Sequence, residues 1–116
     1  MIRNEGSILR FFVNEGDRYE GLPLYEWIVL KAQAKGISGA CGFRGLRGFD
    51  AHRRLRSFRF FRFVQETPVV VELVDGHKEL SSFLHLMRGV IAEGLATVSE
   101  AEVAIIHWGT PGAEEP

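Results

Sequence analysis

Residues 44–49 read Arg44-Gly45-Leu46-Arg47-Gly48-Phe49, two guanidiniums interleaved with glycines. Glycine lets backbone N–H groups approach an anion closely, and arginine adds charge with paired donors. Arg44, Arg47, Gly48 and Phe49 are therefore the best ligand-contacting candidates. This is no P-loop, because the Gly-Lys-Ser/Thr ending is absent. The same residues also suit a glycine-kinked strand with solvated arginines. A second charged group, Glu15, Asp17, Arg18 and Glu20, follows an apolar run and offers an acceptor, Asp17, beside a cation, Arg18. A solvated turn, or an ion pair between subunits, would use the same residues.

Residues 53–64 interleave arginine with phenylalanine: Arg53, Arg54, Arg56, Arg59 and Arg62 among Phe58, Phe60, Phe61 and Phe63. Arginine neutralises phosphates and aromatic rings stack on bases, so a nucleic-acid-binding module is one reading. A strand followed by a loop needs the same phenylalanines for packing. A protein-docking loop, with Arg53, Arg54 and Arg56 at the contact, fits the taste of interfaces for arginine and aromatics. No catalytic constellation stands out. His52, His77, His85 and His107 lack the spacing of a metal site. Cys41, the single cysteine, lies in an apparent strand and reads as a small core residue.

The elements that must position these residues follow from periodicity. Residues 7–14 are a short apolar run rich in β-formers, hence a strand. Residues 15–22 are polar with two glycines, hence a loop. Pro23 suits a first helical turn, and Leu24, Tyr25, Ile28, Val29 and Ala32 form a helical stripe that Gly36 ends. Residues 38–49 read as a strand passing into a loop, and residues 68–74 as the clearest strand of the chain. Asp75 is placed to cap a second helix marked by Leu80, Phe83, Leu84, Met87, Val90 and Ile91, closed by Gly94. Residues 103–108 form a last strand, and 109–116 a frayed tail. Trp27, Leu30 and Ala34 lie off the first helix's main stripe, as an outward apolar patch or as packing for that tail.

The order strand, helix, strand, strand, helix, strand predicts an α+β, ferredoxin-like βαββαβ domain spanning 1–116. Its antiparallel sheet would carry both helices on one face. Yet both faces of the strands are apolar. Leu9, Phe11 and Val13 oppose Ile8 and Phe12; Val69, Val71 and Leu73 oppose Val70 and Val74. At about 25 cal/mol per Å2, leaving the second face wet would forfeit several kcal/mol, so a partner subunit is expected to cover it.

Composition sets the class. The chain has 116 residues, 46% hydrophobic and 25% charged, as an ordinary globule has. The longest stretch without Asp, Glu, Lys or Arg is eleven residues, 103–113, too short for a membrane span. One cysteine permits no internal disulfide, so a cytoplasmic setting is expected. The net charge is −1, but residues 44–62 hold seven arginines against one acid, Asp50. That window is +6 and the rest of the chain −7. The overall charge argues against general nucleic-acid binding; the local charge calls for an explanation, either an anion or acidic partner or pairing with the chain's own acids such as Glu66 and Glu72.

Three blocks carry a family resemblance. They are Arg18-Tyr19-Glu20-Gly21-Leu22-Pro23-Leu24-Tyr25-Glu26 with Ile28-Val29 and Lys31-Ala32; Gly36-Ile37-Ser38-Gly39-Ala40 with Arg44-Gly45 and Gly48-Phe49; and Pro68-Val69-Val70-Val71-Glu72 with Val74-Asp75. Together, over residues 7–107, they resemble the PII-like proteins collected as domain of unknown function 190. That group is related to nitrogen-regulatory PII and to CutA-type trimers. The resemblance implies a homotrimer with sheets facing inward, and a signalling or sensor role rather than an enzyme. It also implies an effector in the clefts between subunits, an adenine nucleotide (AMP, ADP or ATP).

On that reading Asp17 would accept from a ribose hydroxyl and Arg18 would meet phosphate beside Arg44–Phe49. The long loop, near residues 50–65, would contact a partner protein or membrane transporter, with no membrane insertion. CutA-type relatives keep metal binding as a minor reading; a ligand-free structural trimer is another. Two departures stand out. Residues 94–103, matched to the phosphate-binding loop of nitrogen-regulatory PII proteins, contain no Lys or Arg, and the long loop has no tyrosine for uridylylation.

Overall fold

The computed structural model describes residues 2–45, 67–91 and 94–106. Among these residues six strands and two helices follow in chain order: β1 (Ile2–Asn14), β2 (Arg18–Tyr19), β3 (Leu22–Pro23), α1 (Leu24–Ala34), β4 (Gly39–Arg44), β5 (Pro68–Asp75), α2 (His77–Met87) and β6 (Leu95–Ile105). The main sheet has the order β4-β5-β1-β6 with every pair antiparallel. With β2 and β3 set aside as a small hairpin, this is the ferredoxin-like arrangement the element order predicts.

Packing follows strand parity. Leu9, Phe11 and Val13 of β1 and Val69, Val71 and Leu73 of β5 are buried beneath Leu24, Ile28 and Ala32 of α1 and Leu80, Phe83 and Met87 of α2. The Phe11 and Phe83 rings meet edge to face, 6.3 Å between centroids. Both helices therefore lie on one face. The α1 helix stops in a Schellman turn: the Gly36 amide donates to the Gln33 carbonyl and the Ile37 amide to that of Ala32. Gly36 takes φ +78 to make that turn, a conformation that favours glycine.

Several boundaries differ from the sequence-based expectation. β1 begins at Ile2 rather than residue 7, and β6 runs Leu95–Ile105 rather than 103–108. Its weakly apolar, glutamate-bearing sequence hides it. What forms the strand is backbone pairing along β1, from Ile2 against Ile105 to Phe12 against Leu95. Asp75 does not cap α2. It ends β5, and its carboxylate accepts from the Ser38 amide, the Ser38 hydroxyl and the Gly76 amide, leaving Gly76 as the N-cap. α2 ends at Met87, not near Gly94; Val90 and Ile91 still pack against the core from a succession of turns.

Cys41 is not in the core. It sits exposed on β4, opposite Glu72, on the face that the helices do not cover. Trp27 does not stand as an open patch, and the tail reading falls on residues outside those described. Its ring packs edge-on against Tyr19 of β2 at 4.8 Å, and its Nε1 donates to Glu20 at 3.1 Å. The helix-free face carries Ile8, Phe12, Val70 and Val74, half-buried, with Phe43 on β4 51% exposed. At its centre Arg10 and Glu72, directly paired across β1 and β5, form a 2.8 Å salt bridge.

Candidate functional site

Of the charged residues nominated from sequence, Asp17, Arg18 and Arg44 are among the described residues and lie towards one end of the sheet. β1 ends there at Asn14, β4 ends at Arg44, and β5 begins at Pro68. Two backbone bonds bind the three ends: Glu15 N–H to the Thr67 carbonyl at 2.8 Å, and Gly45 N–H to that of Pro68 at 2.7 Å. Arg44 Nη2 donates to Glu15 Oε2 at 2.5 Å. The Arg44 side chain nevertheless stays 65% exposed, held in place by one carboxylate with donors to spare. Sequence marks Glu15 only as part of a charged loop; its position one residue past the end of β1 is the signal for its role.

The neighbouring loop is a built element. The β2–β3 hairpin turns through Glu20 (φ 50) and Gly21 (φ 82), two consecutive positive φ values, as a two-residue type I′ turn requires. Arg18 Nη2 donates to the Gly21 carbonyl at 2.7 Å across this turn, so the guanidinium is exposed but tethered to its own hairpin. Asp17 closes the turn after β1. Its Oδ2 accepts from the Asn14 amide at 3.0 Å, and its carbonyl accepts from the Leu24 amide at 2.7 Å. One carboxylate can accept more bonds than this, so Asp17 keeps capacity for a ligand donor while shaping the loop.

Beside Arg44 a half-open groove of about 560 Å3 runs between α1 and the edge strand β4, lined by Tyr25, Glu26, Val29, Phe43 and Val69. Its size suits a nucleotide-sized ligand. Tyr25, Glu26 and Phe43 were not nominated from sequence as lining residues. They converge only because α1 packs along β4, which no local pattern reveals. Arg47, Gly48, Phe49, Arg53, Arg54 and Arg56 lie outside the described residues, as do His52, His107 and the 109–116 tail.

The departure noted at residues 94–103 is relocated by the fold. Those residues belong to β6 apart from Gly94, and the connection preceding β6 starts at Arg88. A basic residue therefore does stand before the last strand, on the rim of a small apolar cavity of about 190 Å3 with Leu84, Met87 and Ile91. Among the described residues no group of three His, Cys, Asp or Glu side chains could hold a metal ion. His77, exposed, is hydrogen-bonded through Nδ1 to the buried Ser7 hydroxyl. No helix among the described residues is long and apolar enough to cross a membrane.

Residues 6–103 match the family model DUF190, described as an uncharacterized ACR. A UPF0166 protein of Aquifex aeolicus (strain VF5) is 32% identical over 97 residues, which cover 84% of this chain and 91% of the relative. A solved structure of CPII from Thiomonas intermedia K12, bound to ADP, AMP and acetate, superposes with a TM-score of 0.63 at 12% identity. The match covers 90% of this chain and 94% of that one. At that identity the superposition speaks for the fold, which is PII-like.

Proposed function

We propose that this chain, which belongs to the DUF190 family, is a PII-like sensor whose effector is an adenine nucleotide bound at the Arg44 end of the sheet. The observation that carries the reading is Arg44 itself. It is a largely exposed guanidinium, oriented by Glu15, at the mouth of a groove of about 560 Å3 at the edge of the sheet. A charged donor fixed in direction but left open to solvent is suited to a phosphate. Arg18 and Asp17 stand on the adjoining loop to meet phosphate and ribose, and Arg47, Gly48 and Phe49 continue the same chain segment. A protein of the same fold, CPII, binds ADP and AMP, which makes this ligand class the first to test.

The sensor acts as a homotrimer, with the helix-free face of the sheet turned inward. Ile8, Phe12, Val70, Val74 and Phe43 supply the apolar area there, and the Arg10–Glu72 bridge supplies a polar centre. Output passes to a partner protein through the arginine-rich segment carrying Arg53, Arg54 and Arg56. The role is binding and reporting, not catalysis.

A melting-temperature panel of AMP, ADP, ATP, GTP and inorganic phosphate tests the ligand assignment. Ligand at a hundredfold excess over its Kd stabilises the fold by about 2.7 kcal/mol, a shift of several degrees. Adenine nucleotides should give it; a flat panel at millimolar nucleotide would sink the assignment.

A further inference from the structure

On the outer, helical side of the molecule a second groove of about 330 Å3 lies where the end of α1 passes the beginning of α2. It is near the Asp75 end of β5, whereas the Arg44 site is at the Pro68 end. Ile37, Phe83 and Leu86 give it apolar walls, and Lys35 and Lys78 stand on its rim. Among the described residues neither lysine meets a carboxylate within ion-pair distance. Glu79 also lines the groove, but its Oε1 turns back towards Gly76, to within 2.5 Å of where a side chain there would begin.

Lys78 is the informative residue. It is the second residue of α2, where the positive end of the helix dipole disfavours a cation. Lys35, at the end of α1, is well placed for its own helix but adds to the same field. Two unneutralised cations and a helix N-terminus thus converge on an apolar cleft. An occupant with one anionic group and a compact apolar body satisfies both halves. The volume is at the small end of ligand sites, too little for a docked peptide helix.

We propose that this groove binds a small amphipathic carboxylate, of medium-chain aliphatic or aryl type, with its carboxylate between Lys35 and Lys78 and its apolar part against Phe83 and Leu86. This site is separate from the nucleotide site and does not depend on that assignment.

Octanoate titrated into 15N-labelled full-length protein tests it, with octanamide as the uncharged analogue. Octanoate should shift amide resonances around Ile37, Ser82, Phe83 and Leu86 and saturate, while octanamide binds more weakly. Lys35→Gln and Lys78→Gln should each weaken octanoate by about three- to fivefold, the scale of an exposed ion pair, and leave octanamide unchanged. Ser82→Trp, which fills an exposed wall, should abolish both. Equal binding of the two ligands, unaltered octanoate affinity in the double lysine variant, or shifts confined to the helix-free face would each overturn the proposal. Arg44→Ala is the internal control. It should leave octanoate binding intact, so failure of the nucleotide assignment is distinguishable from failure here.

Discussion

Replacing Arg44 by alanine separates a ligand role from a structural one, because the two roles predict different magnitudes. The Arg44–Glu15 bridge is short, at 2.5 Å, but its arginine side chain is 65% exposed and its glutamate 34%. An exposed pair of this kind is worth at most about 1 kcal/mol to stability. Arg44→Ala should therefore lower the melting temperature by only a few degrees. If the guanidinium makes a charge-assisted bond to phosphate, the same change should cost about 1.5–3 kcal/mol of affinity, roughly ten- to 150-fold in Kd. Arg44→Lys keeps the charge but loses the fork and should fall between. Glu15→Gln frees the guanidinium without removing it and should keep most of the affinity. Isothermal calorimetry with AMP, ADP and ATP, paired with thermal unfolding of each variant, reads both quantities. Unchanged nucleotide affinity in Arg44→Ala would refute the reasoning, and so would an affinity loss that merely tracks lost stability.

Three further outcomes follow from the strand geometry. Val70→Asp puts an unpaired charge on the helix-free face and should convert a trimer to monomer by light scattering; a monomeric wild type at micromolar concentration would end the assembly reading. The Cys41 thiol, exposed on β4, should react quickly with a disulfide reagent in the Val70→Asp protein and slowly in the assembled wild type; equal rates would place it outside the interface. Gly6→Ala would set a methyl 2.5 Å from the Asp75 carbonyl oxygen and 2.7 Å from Val103 Cγ2, so overpacking should cost about 1–3 kcal/mol by chemical denaturation; unaltered stability would contradict the β1–β5–β6 packing.

The parts of this fold legible in the sequence are those where side chains alone decide. Leu24, Ile28 and Ala32 announce α1, and Leu80, Phe83 and Met87 announce α2, because burying one stripe requires that period. The alternation in β5 does the same for a strand. What stayed hidden depends on the backbone of another segment. β6 has a weakly apolar, glutamate-bearing sequence and becomes a strand because the thirteen residues of β1 offer it partners along nearly its whole length. Cys41 looks like a core residue until the register with β5 turns it to the helix-free face. The same holds at the site. The charges of Arg44, Asp17 and Arg18 are visible as charges. Their meeting at one sheet end follows from three strand termini coinciding, and the role of Glu15 follows from that in turn.

Strand alternation also ties the site to the assembly. Arg44 pairs with Val69 on the helical side of the sheet, while Phe43, the preceding residue, pairs with Val70 on the helix-free side. Adjacent residues of one edge strand therefore serve the ligand groove and the proposed subunit interface, with Phe43 bordering both. Ordering β4 on one face must order it on the other, since the pleat fixes both directions at once. Any free energy by which a bound nucleotide favours the assembled form must appear equally as tighter nucleotide binding by the trimer. Val70→Asp, designed to break assembly without touching Arg44, should then lose nucleotide affinity as well. A monomer that binds nucleotide as tightly as the trimer would uncouple the two faces and confine the site to a single chain.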